Sequence, residues 1–398
     1  MTPVSPLHLY VHIPYCLHKC PYCDFNSHVR TAPPWERYQQ ALARELAHWA
    51  ERPPFAGRTL TSIYFGGGTP SLMPPEYFAR FLTHVRHHFP LAPDAEISME
   101  ANPGTTEHGS LVDYRAAGVN RLSIGVQSFH DAELQWLERI HTARDAIHAV
   151  HAARDAGFDN ISVDLMYGLP GQALSGWIAS LDTAIRLAPE HLSCYQLTVE
   201  PHTGLARRHA RRHLPFPDEE ASVHFFHATR ERLAGAGYDS YEISNFARPG
   251  RICRHNDGYW RYHDYIGVGA GACGKWDMPD RGIVRHVGLR RPEDYMEAVA
   301  RCGTGVAEHE TLSRWKAAAE AVWLGLRRRH GIDRKGFQAR FGRDVRVMFG
   351  PVIALWQQRG YLETTPLYLR LTGKGIMLAD AIAADVLALE QAACRASV

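Results

Sequence analysis

"YVHIPYCLHKCPYCDFNS", Tyr10 to Ser27, places Cys16, Cys20 and Cys23 within eight residues at the end of a β-like run and supplies no fourth cysteine. A structural zinc site takes four ligands, so zinc here would need His12, His18 or His28 to complete it. A redox pair in the Cys20-Pro-Tyr-Cys23 segment would leave Cys16 without a task. An iron–sulfur cluster held by three thiolates would keep one iron open for an exchangeable ligand bound through amino and carboxylate groups. The spacing alone leaves all three readings open.

Outward from this loop the sequence alternates short apolar strands with amphipathic helices. "LHLYVHI" reads as a strand and "WERYQQALARELAHWAE" as a helix. "LTSIYFGGGTPS", "EISMEANPG", "RLSIGVQS", "NISVDLMYGLPGQ" and "HLSCYQLTVEPHTG" follow as strands running into turns, with helical stretches between them. At least six β-α units in roughly 200 residues predict a parallel sheet with crossover helices. An incomplete (β/α)6 barrel fits that number better than a closed eightfold one, and a doubly wound sheet remains the alternative. In a parallel α/β barrel the loops after the strands share one face, where ligands bind.

After Gly204 the pattern changes. "FPDEEASVHFFHATRERLAGAG" is helical, "YDSYEISNFA" a short strand, and "RPGRICRHNDGYWRYHDYIGVGAGACGKWD" reads as a loop-rich aromatic stretch. From about Glu293 helices dominate, broken by a hairpin in "GYLETTPLYLRLT". The expected division is a barrel with an aromatic extension over residues 1–285 and a small helical, winged-helix-like domain over 290–398.

The 398 residues include 44 basic and 42 acidic side chains, a net charge of +2 that gives nucleic acid no electrostatic hold. Apart from the cluster, the cysteines are scattered singly, which is not a disulfide framework. No secretory signal and no apolar run near the roughly 20 residues of a membrane span are legible. A cytoplasmic location is expected, with peripheral association to a membrane partner left open. The 24 histidines supply many candidate metal or haem ligands.

Other groups sit where a ligand would be met. "GGGTP", Gly66 to Pro70, follows the second strand, and glycines there let the backbone approach a ligand closely. Glu100, Gln127 and Asp164 lie at or near the ends of three successive strands, where unpartnered polar groups are costly to bury. Arg139 follows Gln127 and could pair with a carboxylate.

Taken together, "YVHIPYCLHKCPYCDFNS", "YFGGGTPSLM", "EANPGT", "NRLSIGVQSF" and "VDLMYGLPGQ" resemble the coproporphyrinogen oxidase-like branch of the radical S-adenosylmethionine (SAM) superfamily, along nearly the whole chain. The resemblance implies a partial (β/α)6 barrel with a helical C-terminal domain. It implies a [4Fe–4S] cluster on Cys16, Cys20 and Cys23. It also implies SAM contacts at Tyr10, Gly68, Thr69, Glu100, Gln127, Arg139 and Asp164, with Tyr22 lying against the ligand.

Two groups divide that branch: oxygen-independent coproporphyrinogen III oxidases, which decarboxylate a porphyrinogen, and the HemW haem chaperones. The oxidase pattern has a further cysteine two residues after the third, where this chain has Phe25. It also has a long arm before the first strand, and only nine residues precede Tyr10 here. Both departures argue against decarboxylation. "RHNDGYWR" resembles a chaperone pattern and nominates His255, Asn256, Tyr259 and Trp260 for haem, histidine being a good axial ligand. The expectation is a chaperone that takes haem from a donor and passes it to an apo-acceptor such as a respiratory membrane enzyme. Its cofactors would be the cluster and SAM, with haem as cargo. The alternative is an oxidase-type radical enzyme.

Overall fold

The first described strand, β1 (Leu7–Ile13), alternates strictly. Leu7, Leu9, Val11 and Ile13 are buried in the main apolar core, while His8, Tyr10 and His12 project from the opposite face. The computed structural model describes residues 5–104, 108–278 and 282–395. Five further strands continue in parallel from β1: β2 (Leu60–Gly67), β3 (Leu91–Ala101), β4 (Arg121–Gln127), β5 (Ile161–Tyr167) and β6 (His191–Gln196). Each neighbouring pair is hydrogen-bonded, with Tyr10 opposite Tyr64 and Glu100 opposite Ser123. Helices such as Trp35–Ala50, Pro75–His88 and Ala143–Asp155 return the chain between strands and bury their apolar faces on the outside of the sheet. Thr142 and Asp145 form a reciprocal cap at the start of the last of these.

The six parallel strands are the centre of a twelve-stranded mixed sheet that does not close on itself. On one side β6 is followed by the short antiparallel strand Asn245–Ala247. On the other, β1 pairs in parallel with Asp264–Val268, and antiparallel strands Cys273–Met278, Gly282–Gly288 and Val306–Leu312 follow. The segment expected to be loop-rich therefore holds a helix, Arg254–Trp260, and two strands. Its glycines, which suggested loops, serve close approach: a Cβ on Gly267 would lie 1.9 Å from the Cys273 carbonyl oxygen.

A second apolar core collects Leu312, Val322, Leu326, Phe337, Phe341, Ile353 and Leu369. It is built from helices Arg314–Leu326, Arg334–Phe341, Gly350–Gln358 and Ala379–Arg395 around a three-stranded antiparallel sheet. The hairpin read from the sequence forms the antiparallel Leu362–Thr364 and Tyr368–Leu371 pair. The interval from 285 to 290, where the sequence suggested a boundary, runs out of the large sheet into helix Pro292–Cys302. That helix packs Tyr295, Met296 and Val299 into the first core. Ion pairs join the cores, Arg340 to Asp277 at 2.6 Å and Arg328 to Asp257 at 2.7 Å.

A buried carboxylate ties the extension to the barrel. Glu45, on helix Trp35–Ala50, accepts hydrogen bonds from the backbone N–H groups of Gly269 and Gly305 and from the hydroxyls of Tyr295 and Thr304. Truncating it would strand those donors in the interior. Glu45→Ala is expected to lower unfolding stability by about 3 kcal/mol, read by denaturant titration, with Glu45→Gln losing less.

Candidate functional site

The cysteine loop begins where β1 ends. Tyr15 and Cys16 pair in parallel with His28 and Val29, closing the loop at its base. Within it the Cys23 N–H donates to the Cys20 carbonyl at 3.1 Å, a tight turn that brings these two residues together. His12 meets the Asn26 carbonyl at 2.8 Å, and the Asn26 amide donates to the carbonyls of Ala270 and Arg290. Cys16 is buried, and Cys20 and Cys23 are half-buried. Burial pushes the thiols of Cys16 and Cys23 up, offset by donors from Thr69 and from the Phe25 backbone respectively.

The glycine turn lies directly against this loop. Gly68 and Thr69 donate their N–H groups to the carbonyls of Ile13 and Tyr15 at 2.8 and 2.9 Å. A Cβ on Gly68 would lie 2.7 Å from the Tyr15 carbonyl oxygen, and one on Gly67 (φ +119°) 2.5 Å from the His12 ring. Only glycine fits this approach. The Thr69 hydroxyl points at the Cys16 sulfur (3.5 Å) and receives the Asn102 amide at 3.0 Å.

Glu100, near the end of β3, accepts from the Tyr64 hydroxyl at 3.0 Å and the Gly67 N–H at 3.1 Å. Burial raises its pKa to about 7. Tyr10 lies alongside Tyr64, their ring centroids 6.4 Å apart, and its hydroxyl meets His12 at 3.0 Å. Asp164 accepts from Ser123 and Ser162, and burial raises its pKa too. Gln127 closes β4 in the left-handed region, φ +67°, a strained conformation for a residue with a side chain. Glu138 adopts the same region at +54° just before Arg139. Arg139 donates to the Asn102 side-chain oxygen at 2.6 Å and to the Gly125 carbonyl, and approaches the Cys20 sulfur at 3.7 Å. Its Nε is buried without a partner. Tyr22 lies close enough to Arg139 and Cys20 for both to act on its hydroxyl, which burial pushes well up.

Thus Thr69, Asn102 and Arg139 link the cysteine loop to the strand ends, and Glu100 stands beside the glycine turn. Tyr64, Asn102 and the serines around Asp164 were not anticipated. For Tyr64 the signal was the polar alternation His8-Tyr10-His12, Ser62-Tyr64 and Ser98-Glu100 along strands whose other faces are apolar. The donor set fits an iron–sulfur cluster. Soft thiolates carry hydrogen-bond donors aimed at sulfur, and a buried carboxylate with glycine backbone alongside suits an ammonium group.

The four residues nominated for haem do not gather into one open site. His255 is 2% exposed, with Nδ1 2.8 Å from the Ser62 hydroxyl and Nε2 2.8 Å from the Tyr259 hydroxyl. A haem iron needs a free ring nitrogen, and both are engaged, so the ligand role expected for His255 does not fit this arrangement. Burial also holds the ring well below the usual histidine pKa, in its neutral form. Asn256 donates to the Tyr241 hydroxyl, Tyr259 packs edge-on against Tyr265, and Trp260 lies under the Arg327 guanidinium.

Residues 10–184 match the model of the radical SAM superfamily, and residues 312–378 that of the HemN C-terminal domain. The chain is 46% identical over 301 residues to the haem chaperone HemW of Escherichia coli, covering 75% of this chain and 77% of that protein. It is 38% identical over 390 residues to the haem chaperone HemW of Mycobacterium tuberculosis, covering 97% and 96%. Among solved structures it is similar to the coproporphyrinogen III oxidase of E. coli, with a TM-score of 0.82 at 26% identity over 96% of this chain and 90% of that one.

Because Glu100 ionises near pH 7, its carboxylate is present above that pH and lost below it. SAM affinity, measured by calorimetry on the cluster-loaded protein, is expected to rise from about pH 6 to about pH 8 and then level. Glu100→Gln should weaken binding and flatten this profile.

Proposed function

We propose that this chain, which belongs to the HemW family of haem chaperones within the radical SAM superfamily, binds haem and hands it to an acceptor protein. The likeness to haem chaperones runs through both apolar cores, and that carries the reading. The cysteine loop supports it over oxidase chemistry. At the place where the oxidase pattern has a further cysteine stands Phe25, 58% exposed and without a thiol.

The cofactors are a [4Fe–4S] cluster and SAM, with haem as the cargo. Cys16, Cys20 and Cys23 would hold the cluster, with Thr69 and Arg139 turned toward two of the sulfurs. The Gly66–Gly68 backbone and Glu100 would take the ammonium of SAM, and Tyr10, Tyr22, Gln127, Arg139 and Asp164 would line the rest of its site. When bound, the pair supplies one-electron chemistry. The chain's own residues bind and orient, and burial lowers the pKa of His8 and of His12 to about 4, so both rings are neutral.

The division of labour places cluster and SAM in the barrel unit, 1–285, and gives the helical unit from 290 onward a part in handling cargo. A haem donor and an apo-acceptor are the partners, the acceptor being of the respiratory membrane enzyme type. Contact with such an acceptor would be peripheral; among the described residues no helix is long and apolar enough to cross a membrane.

Anaerobic reconstitution is expected to give about four irons and four sulfides per chain, and haemin added to that protein should produce a saturable Soret shift. One bound zinc without sulfide would overturn the cluster. An unchanged haemin spectrum would overturn the cargo.

A further inference from the structure

Two adjoining cavities lie between helix Glu219–Gly235 and the C-terminal hairpin with the turn that follows it. The wider, about 600 Å³, is lined by Phe226, His227, Arg230, Tyr361, Lys374 and Met377, with Glu231 also on its wall. The narrower, about 220 Å³, sets Arg230, Arg327, Arg328, Arg329 and Arg370 against only two acids, Glu242 and Glu363. Arg230, Gly373 and Ile376 line both, so the two are lobes of one cleft, one aromatic and apolar, the other cationic. The larger lobe falls within the about 300–1,000 Å³ of small-molecule sites.

The cations differ in what already holds them. Arg328, Arg329 and Arg370 are committed to Asp257, Asp239 and Glu363. Arg230 is not: its guanidinium lies 5.3 Å from the Phe226 ring centre, and its Nη1 is buried without a hydrogen-bond partner. Arg327 pairs through Nη1 with Asp380 at 3.3 Å, and its Nε is buried without a partner. Burial and the neighbouring Arg329 push the Arg230 pKa down, an electrostatic cost that a bound anion would relieve. Phe226 and His227 stand four and three residues from Arg230, one buried and one exposed, and all three line the wider lobe, so an apolar wall, an imidazole and an unpaired cation border the same space.

We propose that this cleft carries the haem. The macrocycle lies against Phe226, Ile376 and Met377, the propionates reach Arg230 and Lys374, and His227, exposed on the helix, supplies the axial nitrogen. A planar apolar ring bearing two carboxylates matches an aromatic lobe joined to a cationic one, and no single class of simpler anion uses both. The assignment rests on the haem-carrier reading, and it replaces the buried His255 as the iron ligand.

The test is haemin titration of the full-length, cluster-loaded protein, followed at the Soret band. Arg230→Ala and Lys374→Glu are each expected to weaken binding by about tenfold, a change of about 1.4 kcal/mol, and His227→Ala to move the Soret maximum as well. His227 and Lys374 are exposed, so their variants keep the test intact should Arg230→Ala unfold, which a thermal melt would show. Wild-type affinity in all three overturns the cleft while leaving the carrier reading standing. A wild-type protein that binds no haemin overturns that reading instead. Weakened binding with an unmoved Soret maximum in His227→Ala overturns the axial ligand. Inorganic phosphate that binds the cleft with an affinity lowered by Arg230→Ala, while haemin affinity is equal in wild type and that variant, would make the cationic lobe a simple anion site and also overturn the proposal.

Discussion

Two backbone hydrogen bonds hold the centre of this molecule together, from the N–H groups of Gly68 and Thr69 to the carbonyls of Ile13 and Tyr15. They carry the chain past the end of β1 and decide where the cysteine loop starts. They exist only because residue 68 has no side chain to strike the Tyr15 carbonyl. From this seam the Thr69 hydroxyl reaches Cys16, Asn102 reaches Thr69, and Arg139 joins Asn102 to Cys20. Loops from four strands are thereby one network, and Glu100 joins its edge through the Gly67 N–H. Behind it the Tyr38 hydroxyl donates to the His12 carbonyl and accepts from the Ala270 N–H, tying the strand extension to the same end of β1.

The barrel was legible because its strands and helices have different periods, and because glycines and polar residues mark the strand ends. Glu100, Gln127 and Asp164 stood out as polar groups in apolar runs. Tyr64 and Asn102 did not, since a tyrosine in a strand and an asparagine before a proline are ordinary locally. Their importance comes from which strands the chain sets side by side. The stretch from Arg248 to Asp277 misled for a similar reason. Its glycines look like turns, yet Gly267 and Gly258 are small because the Cys273 carbonyl and the His8 ring press against them. Sequence also could not show that His255 is enclosed. A histidine among aromatics reads as a ligand, and only the pairing with Ser62, 193 positions away, shows both nitrogens occupied.

The helix Arg254–Trp260 touches both regions of interest. At its start His255 bonds to Ser62 of β2 and stacks on Tyr64, whose hydroxyl donates to Glu100. At its end Trp260 lies 5.1 Å under Arg327, which lines the cationic lobe of the cleft. The aromatic motif is therefore a structural bridge between the lumen and the cleft. That accounts for its residue types without requiring it to bind iron.

The central claim is that this scaffold carries haem and does not decarboxylate a porphyrinogen. The most direct measurement is incubation of the cluster-loaded protein with coproporphyrinogen III, SAM and a strong reductant, with product analysis by chromatography. The account predicts unchanged coproporphyrinogen from a preparation that still takes up haemin. Formation of protoporphyrinogen would contradict it.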